Sequence, residues 1–454
     1  MKTGKRMESP RRSRGACRES SPSAPSSSPV GFQIWSSEVE PLSGRLFPLS
    51  VKMTAGFLMA VLFQGTVAAP VPALAAEPFP EVKAKAHVVM EFETGLVLDG
   101  HREDEPLPPA SMTKMMTEYL VLEKIRSGEI GWEDRVRISA RAAAIDEAQV
   151  YLIAGEEWTI RQLFEAMAVY SANDATVALA EHLAGSEETF VKWMNEKAKE
   201  LKMTNTHFRN STGLNEASYP NPPKGEGKHV MSARDAANLA RRLLLDFPEV
   251  KEIIAKPRIS FRGREYANWN RMLPGQSQFY RGVDGVKTGY TDEAGYCFAG
   301  TAERDGMRLV TVVMGTGSQS ARFQETRRLL DAGFENYDLK PLIFEDKPLP
   351  GYMERIPVPN GVARDVAIAA DRTLVLPVRK DQMKKYTFRV TYTRNVVAPL
   401  TAGTPVAEVT VLYDGKKIPG VEPVRLVVRE SVEEAGWLRL FFRKLGDAIS
   451  GWFG

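Results

Sequence analysis

The sequence predicts a mixed α+β fold: a sheet carrying a helical cluster, then a small all-β domain, then a C-terminal amphipathic helix. Three observations predict it. Strand-length apolar runs occur near residue 87 and again from 284 to 314, and between them apolar residues recur at helical spacing. Past about Lys340 the period drops to two and prolines punctuate the chain. The last residues, 431–454, sort their aromatics onto one helical arc. A chain of 454 residues has room for two or three domains at about 150 residues each. Hydrophobic content of 43% and charged content of 26% exclude collagen-like, wholly disordered and polytopic membrane classes.

Residues 1–52 form a Ser-, Pro- and Arg-rich extension without periodicity, which reads as disordered. Residues 53–76 read as a signal peptide. Lys52 precedes an uncharged apolar run from Met53 to Ala69, and Ala73-Leu74-Ala75 supplies the small-x-small cleavage site. Export signals start at the N-terminus, so the true start is expected at Val51 or Met53. The charge follows this division. Nine Lys/Arg and four Asp/Glu lie in residues 1–52 and none in 53–76, which leaves 51 basic and 53 acidic residues beyond. The net +3 therefore belongs to the leader and is no argument for nucleic acid. Of the two cysteines, Cys17 and Cys297, only the second outlasts leader removal, so the mature chain has neither an internal disulfide nor a Cys-based zinc site.

From 80 to 340 the elements read as one domain. His87–Met90, a turn at Thr94-Gly95 and Leu96–Leu98 form a hairpin. A helix runs from Ser111 to about Lys124 after Pro108-Pro109-Ala110. Thr159 and Gln162 make a capping box for a helix through Tyr170. Val177, Leu179 and Leu183 mark another helix, and Phe190, Trp193 and Met194 the next. Ser232 and Asp235 cap a further one carrying Leu239, Leu243 and Leu244. Asp284–Lys287, Tyr296–Thr301 and Met307–Met314 read as strands. Residues 345–430 read as the all-β domain: Tyr386, Phe388, Val390 and Tyr392 alternate with polar residues, and Asp414-Gly415 marks a hairpin. In 431–454, Trp437, Leu438, Phe441, Phe442, Leu445, Ile449, Trp452 and Phe453 share an arc. Arg439, Arg443, Asp447 and Ser450 oppose it, with Leu440 the one misfit. This reads as an in-plane membrane-anchor helix; packing against the β domain is the alternative.

The chain has no G-x-S-x-G, H-E-x-x-H or P-loop, and none of its five histidines sits in a triad setting. Ser111-Met112-Thr113-Lys114 puts a hydroxyl on the first turn of a helix and an amine one turn on, on the same face. A lysine with a depressed pKa can take the hydroxyl proton. Alone this is weak, because about one or two S-x-x-K matches arise by chance in such a chain. Ser171-Ala172-Asn173, between two helices, offers a second hydroxyl and an amide. Lys287-Thr288-Gly289 runs into a strand whose edge can pair with an extended peptide and bind its carboxylate. All three in this order carry weight together. Cys297 reads as a buried strand residue, not a nucleophile.

With these motifs the chain resembles the low-molecular-mass penicillin-binding proteins, serine D-alanyl-D-alanine carboxypeptidases of the penicillin-binding protein 5/6 type. The resemblance runs over about 80–454. It rests on Pro109–Thr117, Ser171–Ala175, Asn205–Phe208, Ser232–Asp235 and Asp284–Gly289, with the β domain and tail. It implies a transpeptidase/β-lactamase-like domain with an antiparallel sheet. It also implies removal of the terminal D-Ala from peptidoglycan pentapeptides, β-lactam binding, no cofactor or metal, and a periplasmic site on the outer face of the cytoplasmic membrane. Carried over by position, Ser111 is the nucleophile and Lys114 its base. Ser171 and Asn173 relay a proton to the leaving amine and hold the substrate amide. Lys287, with Thr288 and Gly289, meets the terminal carboxylate, and Arg322 falls where the family has a second carboxylate-binding Arg. Backbone N–H groups of Ser111 and Tyr290 would form the oxyanion hole. The family often has His where Tyr290 stands, which leaves deacylation rate open. A D,D-endopeptidase, a β-lactamase-like hydrolase and a non-catalytic peptidoglycan-binding protein are the alternatives. The β-lactamase loop E-x-x-L-N is missing. Oligomeric state is not legible.

Overall fold

The computed structural model describes residues 79–393 and 396–453, with side chains through residue 449. The N-terminal extension, the start-site reading and the signal segment lie outside the described residues.

Five antiparallel strands form the central sheet. They are β1 (Ala86–Glu91), β2 (Val97–His101), β3 (Val283–Thr291), β4 (Gly295–Arg304) and β5 (Met307–Thr316), in spatial order β2-β1-β5-β4-β3. All six residues of β1 are buried, because the sheet is covered on both faces. Val88, Met90, Val310, Val312 and Met314 face the helical cluster, whereas Val89, Leu309 and Val313 face the opposite side. That explains why these strands read as continuous apolar runs.

On the first face a 3-10 turn, Ala110–Thr113, leads into helix α1 (Lys114–Arg126). Every residue of α1 from Lys114 to Leu122 is buried, so it is the central helix of the cluster. Helix α2 (Ile160–Glu165) has the expected capping box, with Thr159 Oγ1 accepting from Gln162 N–H and Gln162 Oε1 from Thr159 N–H. It continues as a π turn, Ala166–Tyr170. Helices α3 (Asn173–Ala184), α4 (Glu187–Glu200) and α5 (Ala233–Asp246) follow. Ser232 Oγ caps α5 by accepting from Asp235 N–H at 3.1 Å.

The second face is covered by α6 (Gln319–Asn336), which the periodicity did not reveal. Its sequence is dense in charge, and its inward positions include Arg322, Glu325 and Thr326 as well as Phe323, Leu329 and Leu330. Burying polar residues blurs the apolar stripe on which such a reading depends. Gly333 lets α6 approach the sheet; a Cβ there would sit 2.5 Å from Leu309.

Beyond α6 the chain is β-rich. Strand β6 (Tyr337–Ile343) starts three residues before Lys340, where the sequence period changes, and pairs with β9 (Leu374–Arg379). A second sheet runs β7 (Arg355–Pro357), β8 (Asp365–Ala370), β12 (Val424–Val428), β11 (Pro405–Tyr413), β10 (Tyr386–Tyr392). In β10 the aromatic and Val positions are half-buried and their neighbours exposed, as alternation predicts. Asp414 and Gly415 both have positive φ, the conformation a two-residue hairpin turn requires. Val358, Val366, Val409, Val424 and Leu426 fill a separate core. Helix α7 (Trp437–Phe453) ends the described chain.

Candidate active site

Ser111 sits in the 3-10 turn that opens α1, and the turn is held from two sides. Strand β3 passes so close that a Cβ on Gly289 would lie 2.8 Å from the Pro109 carbonyl and 3.2 Å from Met112 N. On the other side Gly213, at φ +86°, would place a Cβ 1.9 Å from the Ala110 carbonyl. Both glycines are required by close approach of backbone. Ala110 itself has φ +48°, a costly conformation immediately before the serine.

Lys114 is fully buried, and its Nζ has three neighbours: Ser111 Oγ at 2.9 Å, Asn173 Oδ1 at 2.7 Å and the Thr212 carbonyl at 2.8 Å. The Asn173 amide is oriented, because its Nδ2 donates to the Asp146 carbonyl at 2.9 Å. Two of the three neighbours therefore accept only. Burial pushes the Lys114 amine well below its usual range, and the nearby Lys287 adds to that; Glu118, Glu147 and Asp174 oppose it.

The Ser171–Asn173 segment joins the π turn to α3. Ser171 has φ +69°, and its N–H donates to the Ala166 carbonyl. Trp269 Nε1 holds the preceding Tyr170 carbonyl at 2.8 Å. The Ser171 hydroxyl is buried and has no hydrogen-bond partner among the described residues. A π turn with a strained residue at its end is a recurrent feature of functional sites. Asp174 accepts from the N–H groups of Val150, Leu152 and Ala175, which fixes the loop carrying Asp146.

Lys287, Thr288 and Gly289 lie on β3, the edge strand, with Lys287 and Thr288 buried. Burial pushes Lys287 down, and Glu118 opposes this. Arg322, in the first turns of α6, is buried behind the strand. Its Nη1 donates to the carbonyls of Gly289 and Cys297, at 3.2 and 3.5 Å, and its Nε is unpartnered. Burial lowers its pKa to about 10. Tyr290 is exposed; its ring stacks on Tyr296 at 4.3 Å and its hydroxyl donates to Asp292. Cys297 is buried on β4, where desolvation raises its thiol to about 11. Among the described residues no three His, Cys, Asp or Glu side chains are grouped to hold a metal.

The structure thus joins Ser111, Lys114 and Asn173 by direct hydrogen bonds, with Gly289 against the serine turn. Three contributors escaped the sequence reading. Thr212 acts through its carbonyl and gives no side-chain signal. Glu187, buried, accepts from Ser211 N–H and Oγ and from Tyr219 and Arg141, so it anchors the segment presenting Thr212. His229 accepts from Arg209 N–H at Nδ1, so its Nε2–H faces Thr113 Oγ1 at 2.8 Å. Burial lowers its pKa to about 3, which makes it a neutral brace of the serine turn.

Comparison with known proteins gives a consistent set of matches. Residues 73–318 match the family model described as D-alanyl-D-alanine carboxypeptidase, and residues 337–434 match that of the penicillin-binding protein 5 C-terminal domain. The chain is 34% identical to the D-alanyl-D-alanine carboxypeptidase DacF of Bacillus subtilis, over 80% of this chain and 90% of that one. Penicillin-binding protein 5 of Haemophilus influenzae superposes with a TM-score of 0.66 at 29% identity, covering 78% of this chain and 99% of that one. Penicillin-binding protein D2 of Listeria monocytogenes, in its ampicillin-bound form, is 35% identical, with a TM-score of 0.50 over 57% of this chain and 99% of that one.

Proposed function

Because this chain belongs to the D-alanyl-D-alanine carboxypeptidases, serine-type hydrolases of cell-wall maturation, we propose that Ser111 is its nucleophile and Lys114, as a neutral amine, its base. The observation that carries this is the set of Lys114 neighbours. A neutral amine has two N–H groups and one lone pair. Asn173 Oδ1 and the Thr212 carbonyl accept the two N–H groups, which aims the lone pair at the Ser111 hydroxyl.

The steps follow from these positions. Ser111 Oγ attacks the carbonyl between two terminal D-Ala residues as its proton passes to Lys114 Nζ. The oxyanion is met by backbone N–H groups of Ser111 and Tyr290. The C–N bond breaks, and the leaving D-Ala amine takes a proton through Ser171, whose unpartnered hydroxyl is free to relay it. Asn173 holds the substrate amide. Lys287 and Thr288 bind the terminal carboxylate, and Arg322, bonded to Gly289, adds positive charge at that end. Water then hydrolyses the Ser111 ester. A β-lactam acylates the same oxygen, since its amide mimics D-Ala-D-Ala.

The enzyme is exported by the segment before residue 77 and acts in the periplasm, held to the membrane surface by α7. Trp437, Leu438, Phe441, Phe442, Leu445 and Ile449 are exposed along that helix. Its other side docks on the β-rich part. Arg443 donates to the Gly361 and Val362 carbonyls, Asp447 pairs with Arg364, and Leu440, the misfit of the helical wheel, is half-buried there. An exposed aromatic strip backed by arginines suits an interfacial helix. No helix among the described residues is long and apolar enough to cross a membrane.

The test is release of free D-Ala from a pentapeptide muropeptide by the full chain in detergent, beside Ser111→Ala. Release by the wild type and none by the variant is expected. Equal release by both would refute the assignment. Cleavage of cross-linked dimers without D-Ala release would make it an endopeptidase.

A further inference from the structure

One buried acidic side chain has no part in the scheme above. Glu118 lies one turn beyond Lys114 on α1, so the two share a helix face. It is fully buried, and neither carboxylate oxygen has a hydrogen-bond partner among the described residues. Lys287, from β3, is the other buried cation within electrostatic reach of it. Lys114, Glu118 and Lys287 are thus three desolvated titratable groups in one cluster. A lone buried carboxylate is strongly disfavoured unless a cation balances it. Two buried ammonium groups side by side are disfavoured for the same reason.

We propose that Glu118 is a positioning residue whose buried carboxylate is the counter-charge of the Lys287 ammonium, so that Lys287 stays charged while Lys114 stays a neutral amine. The scheme needs this asymmetry, because one lysine must bind a carboxylate and the other must accept a proton. One anion between two lysines supports one ammonium. The three positions around the Lys114 amine are already taken by a hydroxyl and two neutral carbonyls, whereas Lys287 Nζ has one long bond among the described residues, to the Thr288 carbonyl at 3.4 Å, which leaves Lys287 to hold the charge that Glu118 balances without direct contact. When Lys114 takes the Ser111 proton, Glu118 is one turn away to stabilise the ammonium that forms.

The remaining titratable neighbours are Arg322 beside Lys287, and Glu147, Asp174 and the neutral His229 around Lys114. Arg322 depresses Lys287, so without Glu118 no acidic group among the described residues offsets both its burial and that guanidinium. Burial in turn raises Glu118, and both lysines lower it.

The inference rests on the roles assigned to Ser111, Lys114 and Lys287. Its test is the pH profile of acylation by a fluorescent penicillin, with KM and kcat for an acyl-D-Ala-D-Ala peptide, for the full chain in detergent. Glu118→Gln keeps the shape and removes the charge. Glu118→Met makes the same comparison without burying an unpaired amide, should the first variant fold poorly. Loss of the anion is expected to move the alkaline limb, where Lys287 gives up its proton, down by about one pH unit or more. The acid limb should also move down, because Glu118 raises Lys114 too. Near pH 8 KM should rise about tenfold, with a smaller change in kcat at the new optimum. An alkaline limb unmoved within about 0.3 unit in both variants, or a uniform loss at every pH, overturns the inference. Ser111→Ala in the same assay separates the two readings. If it is still acylated, the nucleophile assignment fails and takes the Glu118 inference with it. If it is inert and the limbs do not move, the inference alone fails.

Discussion

At the scale of the residue, Lys114 illustrates how environment decides chemistry. An exposed lysine is an ammonium at neutral pH and has no lone pair to offer. Here burial, aided by Lys287, lowers its pKa, and two carbonyls use both N–H groups of the neutral form. The sign of the pH dependence follows. The base is lost when Lys114 is protonated, so acylation should fall as pH drops through its lowered pKa and hold above it up to the alkaline limb set by Lys287. Lys114→Met should slow penicillin acylation by about 10²–10⁴-fold. Its melting temperature should fall only modestly, because relief from burying an amine offsets part of the cost of leaving the Asn173 and Thr212 carbonyls without that donor. Thermal unfolding and stopped-flow acylation check the two halves; a large stability loss would mean that Lys114 is mainly structural. The side chains of this site were legible in sequence because S-x-x-K, S-x-N and K-T-G are short patterns of reactive residues. The Thr212 carbonyl was not, being a backbone group brought in from 98 residues away. Glu118 was passed over because a Glu one turn after a Lys on a helix reads as an ordinary solvent-facing i,i+4 pair; only its burial sets it apart.

At the scale of the element, the serine turn is shaped by two backbones pressed against it. Gly213→Ala would bring a Cβ into the Ala110 carbonyl at a φ that disfavours any side chain. A stability loss of at least about 2 kcal/mol is expected, with acylation reduced further as the turn shifts. Unfolding in urea measures the first and fluorescent penicillin the second. A variant with wild-type stability and rate would show that the turn does not depend on this contact. Helix starts were readable where a side chain makes the cap, as at Thr159 and Ser232. The π turn at Ala166–Tyr170 was not, since it arises where tertiary packing stretches a helix that continues in sequence. Helix α6 escaped because its buried face carries Arg322 and Glu325.

At the scale of the molecule, the chain combines a catalytic body built on a sheet covered on both faces, a β-rich part with its own core, and a helix with an exposed apolar strip. The period-two pattern revealed the β-rich part in outline, but β6 pairs with a strand some thirty-five residues on, a long-range match that local pattern does not encode. Deletion of 436–454 keeps the hydrogen bonds of Val432 and Ala435 to the β-rich part. It should release the enzyme from anionic vesicles while leaving KM for a soluble peptide unchanged; continued vesicle binding would contradict the anchor. An ester on Ser111 is what the whole mechanism turns on, and peptide mapping by mass spectrometry after acid quench of the enzyme with penicillin detects it. One adduct is expected, on the peptide that contains Ser111, and none in Ser111→Ala. An adduct on any other residue, or an unlabelled Ser111 peptide in penicillin-inactivated enzyme, would contradict it.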